Sequence, residues 1–183
     1  MSYCQSKMLD SNGNVISSDY LDYVSDIDPQ KWLRPYRCDG LDEIRTALYL
    51  KNTVPNVSTA VFRRSVWLET LQEHGDEIMA YPNAGDWVAY LRLLEKGQIA
   101  FTPEALNLHR RHAQSVTISH FDIGQLRQII TIQRDTIRRF GLGDEAVSRA
   151  AAYAQELYEQ FGLVTDERPL FDTHPETEEP PAL

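Results

Sequence analysis

The sequence predicts a mixed α/β fold, α+β in class, with a small mixed sheet, helices against it and two long C-terminal helices. Three observations predict it. The β-prone runs "SYCQS", "NVSTAVFRR" and "IAFTPEALNLHRRH" lie in the first two-thirds of the chain. Between them, "LDEIRTALYLKN" and "AGDWVAYLRLLEKG" carry apolar residues at helical spacing. From Thr117 onward only helical periodicity remains. Strands that give way to helices, without repeated β-α alternation, do not describe a complete doubly wound domain. The chain reads as part of a larger architecture.

Each element follows from local chemistry. Ser2 to Ser6 reads as a strand with an exposed edge, and Asn12-Gly13 as the hairpin-type turn after it. Asp19 to Asp39, broken by Pro29 and Pro35, reads as irregular with one short helix around Pro29 to Leu33. Val57, Ala60, Val61 and Phe62 predict a buried strand. Ser65 is placed to cap the next helix and Gly75 to stop it. The helix of "AGDWVAYLRLLEKG" is apolar nearly all round and ends at Gly97. A strand interrupted by Pro103 follows, then helices over Thr117 to Phe140 and Asp144 to Phe161. The tail from Thr165 is acidic and Pro-rich and is expected to be disordered.

Composition excludes several classes. A chain of 183 residues is long enough for one domain with a real core. No apolar run reaches membrane-spanning length, and no signal peptide opens the chain. Cys4 and Cys38 form no Cys-x-x-Cys motif, which points to reduced thiols in a cytoplasmic protein. The net charge is −9, but the tail holds six acids against Arg168 alone, so the body is only mildly acidic. No basic stripe exists for a nucleic acid.

Four features carry candidate chemistry. Asp86 sits at the mouth of the greasy helix, where it serves either as a cap or as a base. Asn83 is itself a good cap residue, which frees Asp86 for chemistry. The basic run His109, Arg110, Arg111 and His112, beside Ser115 and Thr117, suits an anion such as a diphosphate, or is a solvated strand end. His109-x-x-His112 has helical metal-ligand spacing, but on an extended segment the two rings point apart. Asp26-x-Asp28 reads as a turn that leads into a helix start at Pro29, not as a cation site. Trp87 continues into an apolar stripe with Tyr90, Leu91 and Leu94, so it is either core or a sugar platform. Ser115 and Thr117 are also placed to cap the long helix from Thr117.

"NTVPNVSTAVFRR" followed by "AGDWVAYLRLLEKGQIAFTPEALNLHRRHAQSVT" resembles the C-terminal half of family 2 glycosyltransferases with the GT-A fold. The family's order is Asn-x-Ser-x-x-x-Phe-Arg, then Gly-Asp-Trp opening an amphipathic helix. Gly-x-Ile-Ala-x-x-x-Glu-x-Leu-Asn-x-x-Arg-x-His-x-x-Ser comes last. The resemblance covers about Ser2 to Thr117. It implies that Asp86 is the general base for an acceptor hydroxyl, and that Trp87, Asn56 and Ser58 shape the acceptor side. It also implies that Arg111, His112 and Ser115 lie near the donor diphosphate, with His112 a candidate metal contact.

The resemblance implies an acceptor-side half over 1–117, and periodicity and composition add a helical extension over 118–164 and the tail over 165–183. The family's nucleotide site and metal-binding Asp-x-Asp belong to an N-terminal half that this sequence does not show. A divalent Mn or Mg is therefore expected for the intact enzyme and none for this chain, which is expected to be inactive alone. The expected partners are a nucleotide-sugar donor, a glycan or lipid-linked acceptor and, through unpaired surface, a second copy of the chain. The expected place is the cytoplasm, peripheral at the inner face of a membrane, in bacterial surface-polysaccharide synthesis. The competing expectation is a non-catalytic binding or assembly module derived from the same fold.

Overall fold

The computed structural model describes residues 1–111 and 121–163. It is a mixed α/β structure with one five-stranded sheet. The first strand, β1 (Ser2–Leu9), turns through Asp10–Asn14 into β2 (Val15–Ser17). Asp10 Oδ1 accepts the Asn12 and Asn14 N–H groups, both at 2.8 Å, and Gly13 adopts φ 90°. That conformation costs glycine little, so the predicted hairpin forms where expected.

A short helix α1 (Leu21–Val24), a 3₁₀ turn (Lys31–Leu33) and strand β3 (Tyr36–Asp39) replace the irregular segment. β3 is four residues long, too short for its alternation to stand out in sequence. Helix α2 (Gly40–Glu43) runs on as a π-helical turn over Ile44–Leu48. Asp28 Oδ1 accepts the Gln30 and Lys31 N–H groups at 2.8 and 3.1 Å, as expected of an acidic helix start.

The predicted buried strand at Val57 to Phe62 does not form. Those residues make a 3₁₀ turn (Val57–Thr59) and a two-residue strand β4 (Ala60–Val61), with Val61 67% exposed. Helix α3 (Arg64–Met79) has Arg63 at its N-cap without a side-chain cap, and it runs through Gly75. A Cβ at Gly75 would meet nothing within 4 Å, so this glycine weakens the helix without ending it. The helix ends before Tyr81-Pro82, where the residue preceding proline disfavours helical geometry. Helix α4 (Gly85–Leu94) leads into β5 (Gln98–Arg110). Pro103 does not interrupt β5, because the ladder to β1 skips from Thr102 to Ala105 there and asks no N–H of it.

The spatial order is β2-β1-β5-β3, with β4 also on β1. β1 and β5 are parallel, while the β1–β2, β1–β4 and β3–β5 pairs are antiparallel. The expected exposed edge at Ser2 to Ser6 is therefore corrected. β5 pairs along the whole of β1, β4 covers Ser2 and Tyr3 on the other side, and Asn56 Nδ2 reaches Ser6 Oγ.

The core packs α4 between the sheet and the other helices, with Ile44, Leu48, Val54, Tyr90, Leu94 and Ile99 nearly inaccessible. Arg92 clamps α4 to Glu77 of α3 through two hydrogen bonds. The described helix α5 (Ile123–Phe140) has Asp122 as its N-cap, and Thr117, where the sequence placed the helix start, lies outside the described residues. Asp122 and Gln125 form a reciprocal capping box there, at 2.8 and 3.2 Å. α5 buries Ile132 in the main core, and Gln133 Nε2 donates to Leu50 O at 2.6 Å. Helix α6 (Asp144–Gln160) packs on α5 through Ala154 and Leu157. The disorder expected of the tail falls outside the described residues.

Cys4 and Cys38 are both free thiols. Burial, with Glu43 beside it, pushes the Cys38 thiol up to about 12. It is therefore a poor nucleophile at neutral pH. The fully buried Glu43 takes bonds from Lys31 Nζ at 2.6 Å and Tyr36 Oη at 3.2 Å, so a network of Trp32, Tyr3 and Tyr36 crosses the sheet to it. No described helix is long and apolar enough to cross a membrane.

Candidate functional site

The start of α4 is set by close backbone packing. A Cβ on Gly85 would lie 2.7 Å from Ile78 O, so only glycine lets α4 begin directly against the end of α3. Ala84 is the N-cap residue, and no side chain caps the helix from that position. Asn83, expected to cap, does not. It is exposed, and its backbone N–H donates to Gln128 Oε1 at 3.2 Å.

Asp86 takes up part of that duty from the first turn. Its Oδ1 accepts the Trp87 N–H at 2.8 Å, and its Oδ2 accepts from Asn52 Nδ2 at 3.3 Å. Asn52 Oδ1 accepts the Val54 N–H at 3.1 Å, which orients the amide so that its NH₂ faces Asp86. Among the described residues no cation pairs with Asp86. Burial therefore raises its pKa above the usual aspartate value, and the bonds from Trp87 and Asn52 offset only part of that rise. A half-buried carboxylate of this kind is suited to take a proton from a weakly acidic hydroxyl.

Two tyrosines feel this charge. Tyr90 lies one turn along α4. Its hydroxyl is buried without a hydrogen-bond partner among the described residues, and burial and then Asp86 hold it above the usual range. Tyr23 of α1 is 36% exposed as a residue, yet its hydroxyl is enclosed beside Tyr153. Burial raises that hydroxyl well above its usual value, with contributions from Tyr153, Asp26 and Asp86. Lys51 Nζ lies 4.8 Å from both the Tyr23 and Tyr153 ring centroids, and bonds Asp26 Oδ1 at 2.7 Å. Asp26 is thus committed to an ion pair. Asp28 is committed to the turn.

Of the two readings open for Trp87, core and sugar platform, the structure gives core. It is 2% exposed, and its Nε1 donates to Leu48 O at 2.8 Å, so it has no free face on which a ligand stacks. Replacing it by Phe strands that carbonyl in the interior. Trp87→Phe is expected to destabilise the chain by about 2–3 kcal/mol, read by urea unfolding, from the unpaired carbonyl and the lost volume. An unchanged midpoint would show that the indole bond contributes nothing.

Asn56 and Ser58 form a second polar group, tied to the parallel strands. Asn56 Nδ2 and Asn107 Nδ2 both donate to Ser6 Oγ, at 3.1 and 2.9 Å. Asn107 Nδ2 and Ser58 Oγ both reach Asn56 Oδ1, at 3.1 and 2.6 Å. These bonds dock the 3₁₀ turn on the sheet, so both residues already have partners within the chain. Only four positions separate Asn56 from Asn52, which touches Asp86.

Arg111 ends the parallel pair, with its N–H on Leu9 O at 2.7 Å and its charge acting on the Tyr20 hydroxyl. That hydroxyl bonds His109 Nδ1, and the two rings stack with centroids 6.0 Å apart. Helix α1 carries Tyr20 at its start, whose hydroxyl feels the Arg111 charge, and Tyr23, whose hydroxyl feels the Asp86 charge as the smallest of its influences. His112, Ser115 and Thr117 lie outside the described residues. Sequence reasoning missed Tyr20, Tyr23 and Lys51, which sit in stretches without a motif, and Asn52, which opens the quoted run ahead of its Asn-x-Ser pattern. Asn107 stood within the Leu-Asn-x-x-Arg pattern, which was the available signal.

Comparison with protein-family models, curated proteins and solved structures finds no match. The chemistry of the chain therefore rests on its own geometry. Among the described residues, no three His, Cys, Asp or Glu side chains converge as a metal site. Two cavities of about 700 and 630 Å³ lie away from Asp86. One is bounded by Lys31, Arg45, Tyr49 and Arg149, and the other by Met1, Phe62, Leu93 and Lys96.

Proposed function

We propose that the chain forms the acceptor-side part of an inverting glycosyltransferase with the GT-A fold. In this reading it passes sugar from a nucleotide-sugar to a hydroxyl of a glycan or lipid-linked acceptor, in bacterial surface-polysaccharide synthesis at the cytoplasmic face of the membrane. The observation that carries the reading is Asp86. It is a half-buried carboxylate with no cation paired to it among the described residues, oriented by Asn52 and the Trp87 N–H, at the Gly-Asp-Trp position of the sequence resemblance. In the reaction Asp86 accepts the acceptor's hydroxyl proton as that oxygen forms its bond to the anomeric carbon. The bond from that carbon to the diphosphate breaks, and the nucleoside diphosphate leaves with the electron pair. Arg111, at the C-terminal end of the parallel strands, offers a fixed cation to the charge that develops. The Mn²⁺ or Mg²⁺ implied by the resemblance finds no ligand set among the described residues, so no step is assigned to it.

The test is release of nucleoside diphosphate by the complete protein, with its donor-binding half, against UDP-, GDP- and dTDP-sugars and polysaccharide acceptors. Acceptor-dependent release from one donor supports the reading, and none from any donor overturns it. A second reading, a non-catalytic assembly module, is favoured by one observation: the two cavities above both lie away from Asp86. It predicts partner binding that is indifferent to Asp86→Asn.

A further inference from the structure

Among the described residues β5 has an open edge. β3 covers only Gln98 to Phe101 on its far side, and no described strand pairs with Thr102 to Arg110 there. An unpaired edge of this length is a ready template for another strand. Its outward face carries Leu106 and Leu108, 69% and 62% exposed, flanked by exposed Glu104 and Arg110. Neither charge makes an ion pair with a described residue.

We propose that this edge joins a second copy of the chain, antiparallel about a twofold axis at Asn107. That register sets Leu106 opposite the partner's Leu108 and Glu104 opposite the partner's Arg110, twice over by symmetry. The backbone agrees. Arg111 N–H donates to Leu9 O, so Arg111, His109 and Asn107 turn their peptide groups toward β1, while Leu106, Leu108 and Arg110 turn theirs outward. Leu106 and the partner's Leu108 then form a hydrogen-bonded pair, and the two Asn107 residues a non-bonded one. Moving the axis to Leu108 sets Leu106 against the partner's Arg110 and leaves Glu104 beyond the strand end. Moving it to Leu106 sets Leu108 against the partner's Glu104 and leaves Arg110 beyond the opposing charge. Pro103, which has no N–H to give, closes the ladder at one end. Cross-strand apolar and opposite-charge pairs supply the stabilisation, and like charges in the same places oppose it.

Analytical ultracentrifugation of the 183-residue chain, under reducing conditions so that Cys4 and Cys38 form no bridge, tests this. The wild type is expected to show a concentration-dependent dimer, and Leu106→Glu with Leu108→Glu a monomer. Glu104→Arg alone and Arg110→Glu alone should each weaken the dimer about tenfold, since each sets two like-charge pairs in place of two attractive ones. The double reversal restores the attraction and should bring affinity back near the wild-type value. All four residues are exposed, and far-UV circular dichroism checks that each variant is folded. A monomer at every concentration overturns the proposal. A dimer that ignores the charge reversals, or that the double reversal does not restore, overturns it equally.

Discussion

Asp86→Asn, on the proposed transferase reading, is expected to lower turnover by at least about a hundredfold, the scale for losing a positioned general base. Donor affinity should change little, because on that reading the carboxylate acts on the acceptor. Stability should move by no more than about 1 kcal/mol in the 183-residue chain. The asparagine oxygen can still accept the Trp87 N–H. Its NH₂ then faces the NH₂ of Asn52, which Val54 holds in place, and that small cost is offset by removal of a half-buried charge.

The same substitution has a signature in pH. Burial raises the folded pKa of Asp86 above the unfolded value of about 3.9. Between those two values the folded state binds more protons than the unfolded one, so wild-type stability falls as pH rises through the window. Asn has no such proton to lose, and its contribution to the stability curve is flat there. Equal turnover of the two proteins, or a variant that melts far earlier at neutral pH, would make Asp86 structural.

Gly40→Ala is expected to cost about 3 kcal/mol or more, at the top of the range for overpacking. A Cβ there would lie 2.0 Å from Leu94 O and 2.5 Å from Gly97 O. Both are backbone atoms, so no side chain can swing away. The Gly40 N–H also donates to Gly97 O at 2.8 Å, and any shift that relieves the clash stretches this bond. Alanine's helix preference of about 1 kcal/mol works the other way and is too small to win. In thermal unfolding the midpoint should fall by roughly 6–12 °C for a domain of this size. Gly75→Ala is the control. Nothing lies within 4 Å of its Cβ position, so it should stabilise α3 by up to about 1 kcal/mol. If Gly40→Ala melts like the wild type, α2 does not approach α4 as closely as described here.

The sequence by itself determined the features whose causes are local. The α+β class, the Asn12-Gly13 hairpin, the buried helix that opens at Asp86 and the two C-terminal helices follow from periodicity and turn chemistry within a few residues. Tertiary structure decided whatever depended on distant neighbours. Nothing in "NVSTAVFRR" says that Val57 and Val61 face outward, because their exposure depends on which strand lies beside them. Asn83 has the side chain of a cap, but Gln128 of α5 takes its backbone N–H and Asp86 answers the first turn. Trp87 shared its stripe with true core residues, and only the Leu48 carbonyl, 39 positions away, decided between core and platform. Asn52 and Asp86 stand 34 positions apart and meet because the π-helical turn and α4 pack in one core. The same parallel pairing of β1 and β5 brings Asn107 to Ser6 and, among the described residues, leaves the far edge of β5 open. Periodicity records which face of an element is greasy. Packing decides what that face meets, and so which polar groups it brings together.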